Sequence, residues 1–349
     1  MSHEAALEPP RAHGGPLCSG RLRTRPEDFL VEEQLGFAPA GAGPHVLLKV
    51  RKRNANTAWV ARQLAGACGC RPADVGYAGL KDRWAVAVQW FTVPRSRLSP
   101  ADWARVSGGD YEVLEAHLHS RKLPRGALAG NSFVIRVRGT DVEDTRLASR
   151  LATIGVRGVP NYFGPQRFGR DAGNLRLVSG GLRPLKPSER GFVLSAARSL
   201  VFNAVLAARV GDGSWEHLEP GDLANLDGCA SHFPVGAIDE TLAARCARLD
   251  IHPTGPLWGN GSPPSGARVL ELERRVAAGF AAACELVAAA GMRQERRSLR
   301  LAVSDLRLRR DPDAADCIIL EFRLSRGAYA TTVLRELFAL EAGYDESNT

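Results

Sequence analysis

The residue best suited to chemistry is Asp82, which lies between two cations in the run Lys81-Asp-Arg83. A glycine-containing turn at residues 76–79 precedes it, and a strand-like apolar run that ends at Pro94 follows it. A carboxylate at the mouth of a strand, with cations beside it, is typically kept ionised and aimed at a ligand. The alternative is an exposed turn with a weak ion pair.

Two further positions combine chemistry with an ordinary structural alternative. Phe29 stands among the charges of Arg25-Pro-Glu-Asp-Phe-Leu-Val-Glu-Glu, where a lone aromatic residue is most often a core anchor. Asn131 follows Gly130 at the start of a strand, where asparagine usually serves turn chemistry. Its amide also offers a donor and an acceptor, which suits the edge of a nucleic-acid base.

Two further segments carry aromatic residues beside glycine and arginine. Residues 161–169, Asn-Tyr-Phe-Gly-Pro-Gln-Arg-Phe-Gly, place three aromatics, two glycines and an arginine in one loop. Such a loop suits stacking on bases and binding of phosphate, whereas the structural alternative is an aromatic loop that links two domains. Tyr329, in Arg326-Gly-Ala-Tyr, is either a core tyrosine or a stacking platform.

The bulk composition sets limits on the class of protein. The 349 residues suffice for two domains, and 44% hydrophobic and 24% charged residues are ordinary for a globular protein. A net charge of +8 and a pI of about 9.4 favour an anionic partner, with nucleic acid as the first candidate. A basic protein without a polyanionic partner is the alternative.

Membrane, secretion and metal signals are weak. No apolar run approaches the roughly 20 residues of a membrane span, and residues 1–20 carry no apolar signal segment, so we expect a loose N-terminal arm and a cytoplasmic protein. The seven cysteines form no Cys-x-x-Cys pair, so we expect mostly small buried residues. His117 and His119 have no evident third ligand, which favours a solvated strand edge over a metal site.

Local sequence patterns predict that the first part of the chain is rich in β-strands and that its middle part is more helical. We predict strands at 45–50 and after the Asp82 turn, a helix over 57–67 closed by Gly69, and a strand pair formed by 111–120 and 132–138. Further helices are predicted at 141–155, 195–210 and 267–290, strands at 301–308 and 317–324, and a final helix at 332–342. This order predicts an α+β protein in which a mainly helical unit is inserted into the first domain.

Five segments together resemble the TruD family of pseudouridine synthases, in the family's order and at its spacing. They are Arg25-Pro-Glu-Asp-Phe29, Ala78-Gly-Leu-Lys-Asp-Arg83, Gly130-Asn-Ser-Phe133, Gly158-Val-Pro-Asn-Tyr-Phe-Gly-Pro-Gln-Arg-Phe-Gly169 and Ala330-Thr-Thr-Val-Leu-Arg-Glu336. The resemblance runs from about residue 20 almost to the C-terminus, and its most specific part is the string that begins at Asn161.

The resemblance implies a V-shaped, two-domain protein. Residues 1–20 would be a flexible arm, residues 21–156 and 304–349 the catalytic domain with a mixed sheet and helices, and residues 157–303 an inserted α/β TRUD domain. The cleft would take tRNA, and bacterial members of this size isomerise uridine 13. The reaction gains and loses no atoms, so no cofactor or metal is expected. We also expect no association with a membrane and no obligate protein partner.

The resemblance also assigns roles to individual residues. Asp82 matches the catalytic aspartate, either as nucleophile at the sugar or as base at C2′, and Arg23 and Lys81 are the candidates that support its charge, although Lys81 can instead face phosphate. Phe29, Asn131, Phe133 and Tyr329 would line the uridine pocket. Close bacterial relatives carry phenylalanine in place of Tyr329, which leaves the role of its hydroxyl open.

Basic residues complete the predicted RNA surface. The candidates are Arg121, Lys122, Arg125, Arg167 and Arg170, with Arg293, Arg296 and Arg297 as weaker ones. Such contacts give affinity and salt dependence rather than sequence choice, and a solvated basic face is the alternative. A non-catalytic RNA-binding or RNA-chaperone protein on this scaffold is the competing function, because it needs the basic surface but not Asp82. A hydrolase is disfavoured because no second acid with a convincing motif accompanies Asp82.

Overall fold

The computed structural model describes residues 7–169, 172–178 and 185–342 of the chain. They form two compact units and combine sheets with helices, which confirms the α+β class. Among the described residues, the sheet unit comprises 17–148, 304–327 and 338–342. The helical unit comprises the described residues within 7–16, 149–303 and 328–337.

These units differ from the predicted domains in the N-terminal arm, whose residues 17–20 belong to the sheet unit, at residues 149–156, which belong to the helical unit, and at residues 328–337. Residues 7–16, predicted as part of a loose arm, belong to the helical unit, where the backbone N–H groups of Ala12 and His13 donate to the buried Glu336 carboxylate at 3.1 and 3.2 Å. Residues 328–337, predicted as part of the catalytic domain, also belong to the helical unit. The division into functional domains stays a prediction.

The strands, in chain order, are β1 (Cys18–Leu22), β2 (Phe29–Gln34), β3 (His45–Arg53), β4 (Gly76–Tyr77), β5 (Val86–Pro94), β6 (Ser107–Gly108), β7 (Tyr111–His119), β8 (Gly130–Arg138), β9 (Val159–Pro160), β10 (Leu223–Leu226), β11 (His232–Pro234), β12 (Ile251–Leu257), β13 (Glu295–Ser298), β14 (Arg300–Leu301), β15 (Ser304–Asp311), β16 (Ala314–Ser325) and β17 (Phe338–Ala342). The α-helices are α1 (Thr57–Cys68), α2 (Pro100–Trp103), α3 (Asp144–Arg157), α4 (Gly173–Arg176), α5 (Pro187–Gly211), α6 (Glu240–Ala247), α7 (Ala267–Ala278), α8 (Ala281–Ala289) and α9 (Ala330–Arg335).

An eleven-stranded mixed sheet organises the sheet unit, in the order β15-β16-β8-β2-β5-β3-β7-β6. β1 joins it through β8 and β17, and β4 pairs with β5. The β2–β5 and β1–β17 pairs are parallel. β2 and β5 therefore run side by side in the same direction, and the turn that carries Asp82 lies at the beginning of β5.

Helix α1 covers one face of this sheet. Val60 and Leu64 lie on its buried side and pack with Leu48 and Phe91 from β3 and β5. Gly69 ends the helix in the left-handed conformation with φ of 73°, as the sequence predicts, because a residue without a Cβ adopts this geometry at little cost.

The helical unit is built around α5. Its core joins Phe202 and other buried α5 residues to the apolar sides of α7 and α8, and a separate four-stranded sheet has the order β11-β10-β12-β13. By length and composition, residues 189–211 could cross a bilayer, contrary to the sequence prediction that no run approaches that length. Since 72% of the most apolar window is buried inside the protein, α5 is a core helix of this unit.

Three predictions of secondary structure are wrong, the first two because distant strands pair. The strands β7 and β8 are not partners, because β7 pairs with β3 and β6, whereas β8 lies between β2 and β16. The final helix stops at Arg335, and Phe338–Ala342 instead pairs with β1. The predicted helix over 267–290 is broken at Gly279 and Phe280 into α7 and α8.

Candidate active site

The loop that carries Asp82 is held in place by buried polar side chains beneath it. Thr57 at the start of α1 accepts a hydrogen bond from the Lys81 backbone N–H at 3.0 Å and donates to Gln89 Oε1 at 3.0 Å. Gln89, on β5, donates in turn to the carbonyl oxygen of Gly79 at 2.6 Å. Thr57 and Gln89 are both buried, so these bonds fix the loop from the protein interior.

Lys52 is a second anchor of this loop, and the sequence analysis missed it. Its Nζ donates to the main-chain oxygens of Asp82 at 2.8 Å and Ala55 at 2.7 Å, and the residue is 1% exposed. Burial lowers the pKa of Lys52 to about 8, although the negative charge of Asp82 acts in the opposite direction. The available signal was periodicity, because Lys52 follows Leu48 and Val50 at every second position on the buried face of β3.

Arg23 contacts the Asp82 carboxylate directly. Its Nη2 donates to Asp82 Oδ2, and the Asp82 side chain remains 53% exposed. The Arg23 guanidinium also lies 4.3 Å from the centre of the Phe29 ring, and its carbonyl oxygen accepts from Trp84 Nε1 at 2.9 Å. Arg23 is thus fixed at both ends, with its backbone in the left-handed region at φ of 62°. The result is an accessible carboxylate with one oxygen oriented by a cation.

Lys81 does not contact the Asp82 carboxylate and does not face solvent, so both predictions for it differ from the structure. Its Nζ lies 2.8 Å from Glu33 Oε1 and donates to Asn131 Oδ1 at 2.8 Å. Glu33 is buried, and its Oε2 accepts from the backbone N–H of Trp90 at 3.0 Å. Neighbours in an extended segment point to opposite sides, so Lys81 turns inward where Asp82 turns outward. Glu33 is another site residue that sequence reasoning missed.

Phe29, Asn131 and Phe133 come together on one face of β2 and β8. Phe29 meets Phe133 edge to face, with ring centres 6.1 Å apart, and Phe133 stacks on Phe322 of β16 at 5.3 Å. Asn131 lies opposite Glu33 in the β2–β8 pairing. All three predicted residues are buried to within 9% exposure. The sheet unit thus places two aromatic rings, an amide and an accessible carboxylate in one region.

Tyr329 belongs to the helical unit, where it contacts Arg167. Arg167 donates from Nη2 to the Tyr329 hydroxyl at 2.6 Å and from Nη1 to Ser195 Oγ at 2.8 Å. The Tyr329 ring meets Phe163 edge to face with centres 6.2 Å apart. Arg167, predicted to bind RNA, is therefore half-buried and already bonded to two hydroxyl groups.

The loop at residues 161–169 contributes its aromatic rings to the core. Tyr162, Phe163 and Phe168 are all buried, so their faces are not open to a base, and the loop lies within the helical unit, not between two units. Arg297 lies 4.2 Å from the centre of the Phe163 ring and donates to Asn161 Oδ1 at 2.5 Å. Burial, reinforced by the nearby charge of Arg167, lowers the pKa of Arg297 to about 10.

The predicted RNA-binding cations of the sheet unit are at the surface. Arg121 is exposed, Lys122 donates to the carbonyl oxygen of Ala73 at 2.5 Å, and the Arg125 guanidinium lies 3.7 Å from the centre of the Tyr77 ring. Lys122, Arg125 and Tyr77 line a cavity of about 460 Å³. A basic surface of this kind is suited to phosphate.

The cations of the helical unit divide differently. Arg293 is exposed, whereas Arg296 is an interior residue that forms a buried ion pair with Glu273 at 2.7 Å and donates to the Thr254 carbonyl oxygen. Arg296 and Arg297 therefore stabilise the fold of this unit and do not form a basic surface. Arg170 lies outside the described residues.

The described residues contain no group of three or more His, Cys, Asp or Glu side chains that could hold a metal ion. His119 is buried and stacks on Phe37 at 5.4 Å, so it is not part of the solvated edge that the sequence predicted. All seven cysteines are free, but Cys246 and Cys317 alone are fully buried, fewer than expected.

Comparisons of the sequence with a family profile and with individual proteins agree on one family. The sequence profile described as "tRNA pseudouridine synthase D (TruD)" matches residues 12–183 and 176–337. A protein named tRNA pseudouridine synthase D from Nitrosococcus oceani is 48% identical, with 97% of this chain and 96% of that protein covered. Its namesake from Methylococcus capsulatus is 46% identical, with coverage of 94% and 93%.

A solved structure has the same fold. The crystal structure of a candidate tRNA pseudouridine synthase D (TruD) from Methanosarcina mazei superposes with a TM-score of 0.73 and covers 97% of this chain and 98% of that one. Its sequence identity is 20%, so this likeness concerns the fold.

Proposed function

This chain belongs to the tRNA pseudouridine synthase D family, a family of isomerases, and we propose that it converts uridine 13 of tRNA to pseudouridine with Asp82 as the catalytic carboxylate. The observation that carries the proposal is the environment of Asp82. Arg23 orients one oxygen of an otherwise accessible carboxylate, while Lys52 holds its main-chain oxygen from the interior. This arrangement positions a charged group without removing it from a substrate's reach.

The isomerisation needs a carboxylate near the ribose and a surface that holds the released base, and the region around Asp82 has both. The bond from ribose C1′ to uracil N1 breaks, the base rotates, and C5 bonds to C1′ while C5 loses a proton and N1 gains one. The target nucleotide must leave its stack, at a cost of roughly a few kcal/mol. Phe29 and Asn131 supply apolar surface and hydrogen bonds for the released base. Tyr329 remains assigned to the uridine pocket by resemblance alone.

Asp82 acts in one of two ways, and an isotope effect separates them. As a nucleophile it adds to C1′, whereas as a base it removes the proton from C2′. A tRNA transcript with deuterium at ribose C2′ of the target uridine should react several times more slowly if C2′ deprotonation limits the rate, and at nearly the normal rate if the carboxylate adds to C1′.

The central experiment compares Asp82→Asn with a matched control. We expect Asp82→Asn to abolish pseudouridine formation and to leave tRNA binding nearly unchanged, because the substitution removes a charge but little volume. Asp74→Asn is the control, since Asp74 is also a carboxylate paired with an arginine, Arg71, at the surface of the same unit. Turnover by Asp82→Asn within about tenfold of wild type would exclude Asp82 as the essential catalyst.

A cellular experiment separates this enzyme from a protein that only binds RNA. Pseudouridine at tRNA position 13 should disappear on deletion of the gene and return with the wild-type chain but not with Asp82→Asn. Restoration by the Asp82→Asn chain would favour the RNA-chaperone function. Pseudouridine missing from another tRNA position would correct the proposed site while leaving the activity intact.

A further inference from the structure

We infer that the buried Glu33–Lys81 ion pair fixes the side-chain amide of Asn131 so that its Nδ2 donates to a carbonyl oxygen of the target uracil. Glu33 and Lys81 are then positioning residues, and Asn131 reads the base. The inference rests on the proposed function, since it concerns the base that this function places at the site.

The orientation of the amide follows from the chemistry of lysine. The Lys81 ammonium has hydrogens to donate and no lone pair to accept, so the Asn131 atom 2.8 Å away must be the oxygen Oδ1. Asn131 Nδ2 therefore points away from Lys81. Among the residues that the structure describes, none accepts a hydrogen bond from Nδ2, so this donor is available to a ligand.

The ion pair explains why Lys81 stays in this place. Its Nζ lies 2.8 Å from Glu33 Oε1, the Glu33 side chain is 0% exposed, and Glu33 Oε2 is tied to the backbone N–H of Trp90. Lys81 is thus held between a fixed carboxylate and the Asn131 oxygen. A buried pair of this kind gives little net stability, because desolvation offsets the attraction, so a positional role is the better account of it.

The fixed amide distinguishes between pyrimidines if Nδ2 faces position 4 of the base. Uracil presents carbonyl oxygens at C2 and C4, which accept from Nδ2, whereas cytosine has an amino group at C4 that would meet another donor there. An amide turned by 180° would reverse this preference. Holding the amide in one orientation therefore favours uracil through O4, or binds O2 without discriminating against cytosine.

Asn131→Leu tests the donor with little change in volume. The leucine has no hydrogen-bond donor and no charge, and it leaves Lys81 paired with Glu33. We expect kcat/KM for pseudouridine formation in a tRNA transcript to fall at least a hundredfold, while the thermal unfolding temperature falls by only a few degrees. A kcat/KM within threefold of wild type would overturn the inference.

A mutant cycle tests whether the ion pair acts through Asn131. The double variant Glu33→Gln/Lys81→Met removes both buried charges together, so neither is left unpaired. We expect it to lower kcat/KM about tenfold or more, and to lower it no further when Asn131→Ala is already present. Equal losses with and without Asn131→Ala would show that the pair acts independently and would overturn the inference.

The chain provides a matched control on the opposite face of the same strand. Lys49 Nζ forms partly exposed ion pairs with Glu32, the neighbour of Glu33, at 2.9 Å and with Glu115 at 3.1 Å. Glu115 keeps its hydrogen bond with His117 when Lys49 is replaced. Glu32→Gln/Lys49→Met should leave kcat/KM within about twofold. A loss as large as that of the Glu33 and Lys81 double variant would mean that any ion pair on β2 supports activity through stability, which would contradict the positioning role.

Thio-substituted transcripts give a readout that a structural effect cannot imitate. Sulfur accepts hydrogen bonds poorly, so wild type should lose turnover with either 2-thiouridine or 4-thiouridine at the target position, and Asn131→Ala should be indifferent to the same substitution. Equal turnover of uridine and both thio analogues by the wild-type protein would contradict this inference but not the proposed function. Absence of pseudouridine formation by the wild-type protein in unmodified tRNA would contradict the proposed function.

Discussion

Arg167 donates a hydrogen bond from Nη2 to the hydroxyl oxygen of Tyr329 over 2.6 Å. The sequence left this hydroxyl without an assigned partner, and its ring was expected to matter more than its oxygen. The structure supplies a partner that is half-buried and bears a charge. Hydrogen bonds to charged groups are stronger than neutral ones, so the hydroxyl contributes to the stability of the helical unit.

Tyr329→Phe should therefore lower the free energy of unfolding by about 1–2 kcal/mol, because Arg167 Nη2 loses its acceptor. Turnover should remain within about threefold of wild type, since the ring is retained. Urea denaturation and a tRNA pseudouridine assay measure the two effects. A hundredfold loss of kcat/KM, equivalent to about 2.7 kcal/mol, would instead show that the hydroxyl takes part in the reaction.

Tyr162 provides the matched control for this substitution in the same unit. Its hydroxyl is buried, no described residue forms a hydrogen bond with it, and burial raises the pKa of Tyr162. Tyr162→Phe should leave the free energy of unfolding unchanged or raise it by up to about 1 kcal/mol, because a buried unsatisfied oxygen is removed. A loss equal to that of Tyr329→Phe would mean that the two hydroxyl groups have comparable partners.

Features set by neighbouring residues were accessible from the sequence. The helix over 57–67 was recognisable from its apolar spacing and from Gly69, and the strand after Asp82 from its β-branched and aromatic run. The turn around Asp82 was also predictable as a site, because its charges and glycines lie within a few residues.

Features set by distant residues were not accessible. Lys81 was expected to support Asp82, but its partners Glu33 and Asn131 come from two other strands, and their pairing depends on the whole sheet. Residues 338–342 have a helix-compatible composition, yet they form a strand because β1 offers them a free edge. Local propensity cannot report which edge a segment will find.

Arg23 should contribute to catalysis through its charge. We expect Arg23→Met to lower kcat/KM at least tenfold, equivalent to about 1.4 kcal/mol, and Arg23→Lys to recover much of that loss because a cation remains near Asp82. Arg53→Met is the control, since Arg53 also forms a partly exposed ion pair, with Glu27, in the same unit. A fully active Arg23→Met enzyme would show that Asp82 needs no cationic partner.

Lys52 should make stability depend on pH in an identifiable window. Below pH 8, folded and unfolded chains both carry the proton, and the folded chain bears the full cost of a buried ammonium. Between pH 8 and the ordinary value of about 10.4, the folded chain releases the proton while the unfolded chain keeps it, so stability rises with pH by roughly 3 kcal/mol.

This contribution is measurable as a difference between two proteins. The free energy of unfolding of wild type, minus that of Lys52→Met, should increase when urea denaturation is repeated at pH 7.5, 9 and 10.5. Other titrating groups largely cancel in the difference, because both chains contain them. A difference that stays constant over this range would mean that Lys52 keeps its proton in the folded protein.

Arg121 should bind tRNA phosphate, because it is exposed on the sheet unit next to Lys122. Arg121→Ala should weaken tRNA binding without changing kcat. It should also make the slope of log affinity against log salt concentration shallower by roughly 0.7 to 0.9, the loss expected for one phosphate contact. Arg51→Ala is the control, since the exposed Arg51 is neutralised by Glu112 and should leave the slope unchanged. Binding titrations at several salt concentrations measure both, and equal slopes for wild type and Arg121→Ala would remove Arg121 from the RNA surface.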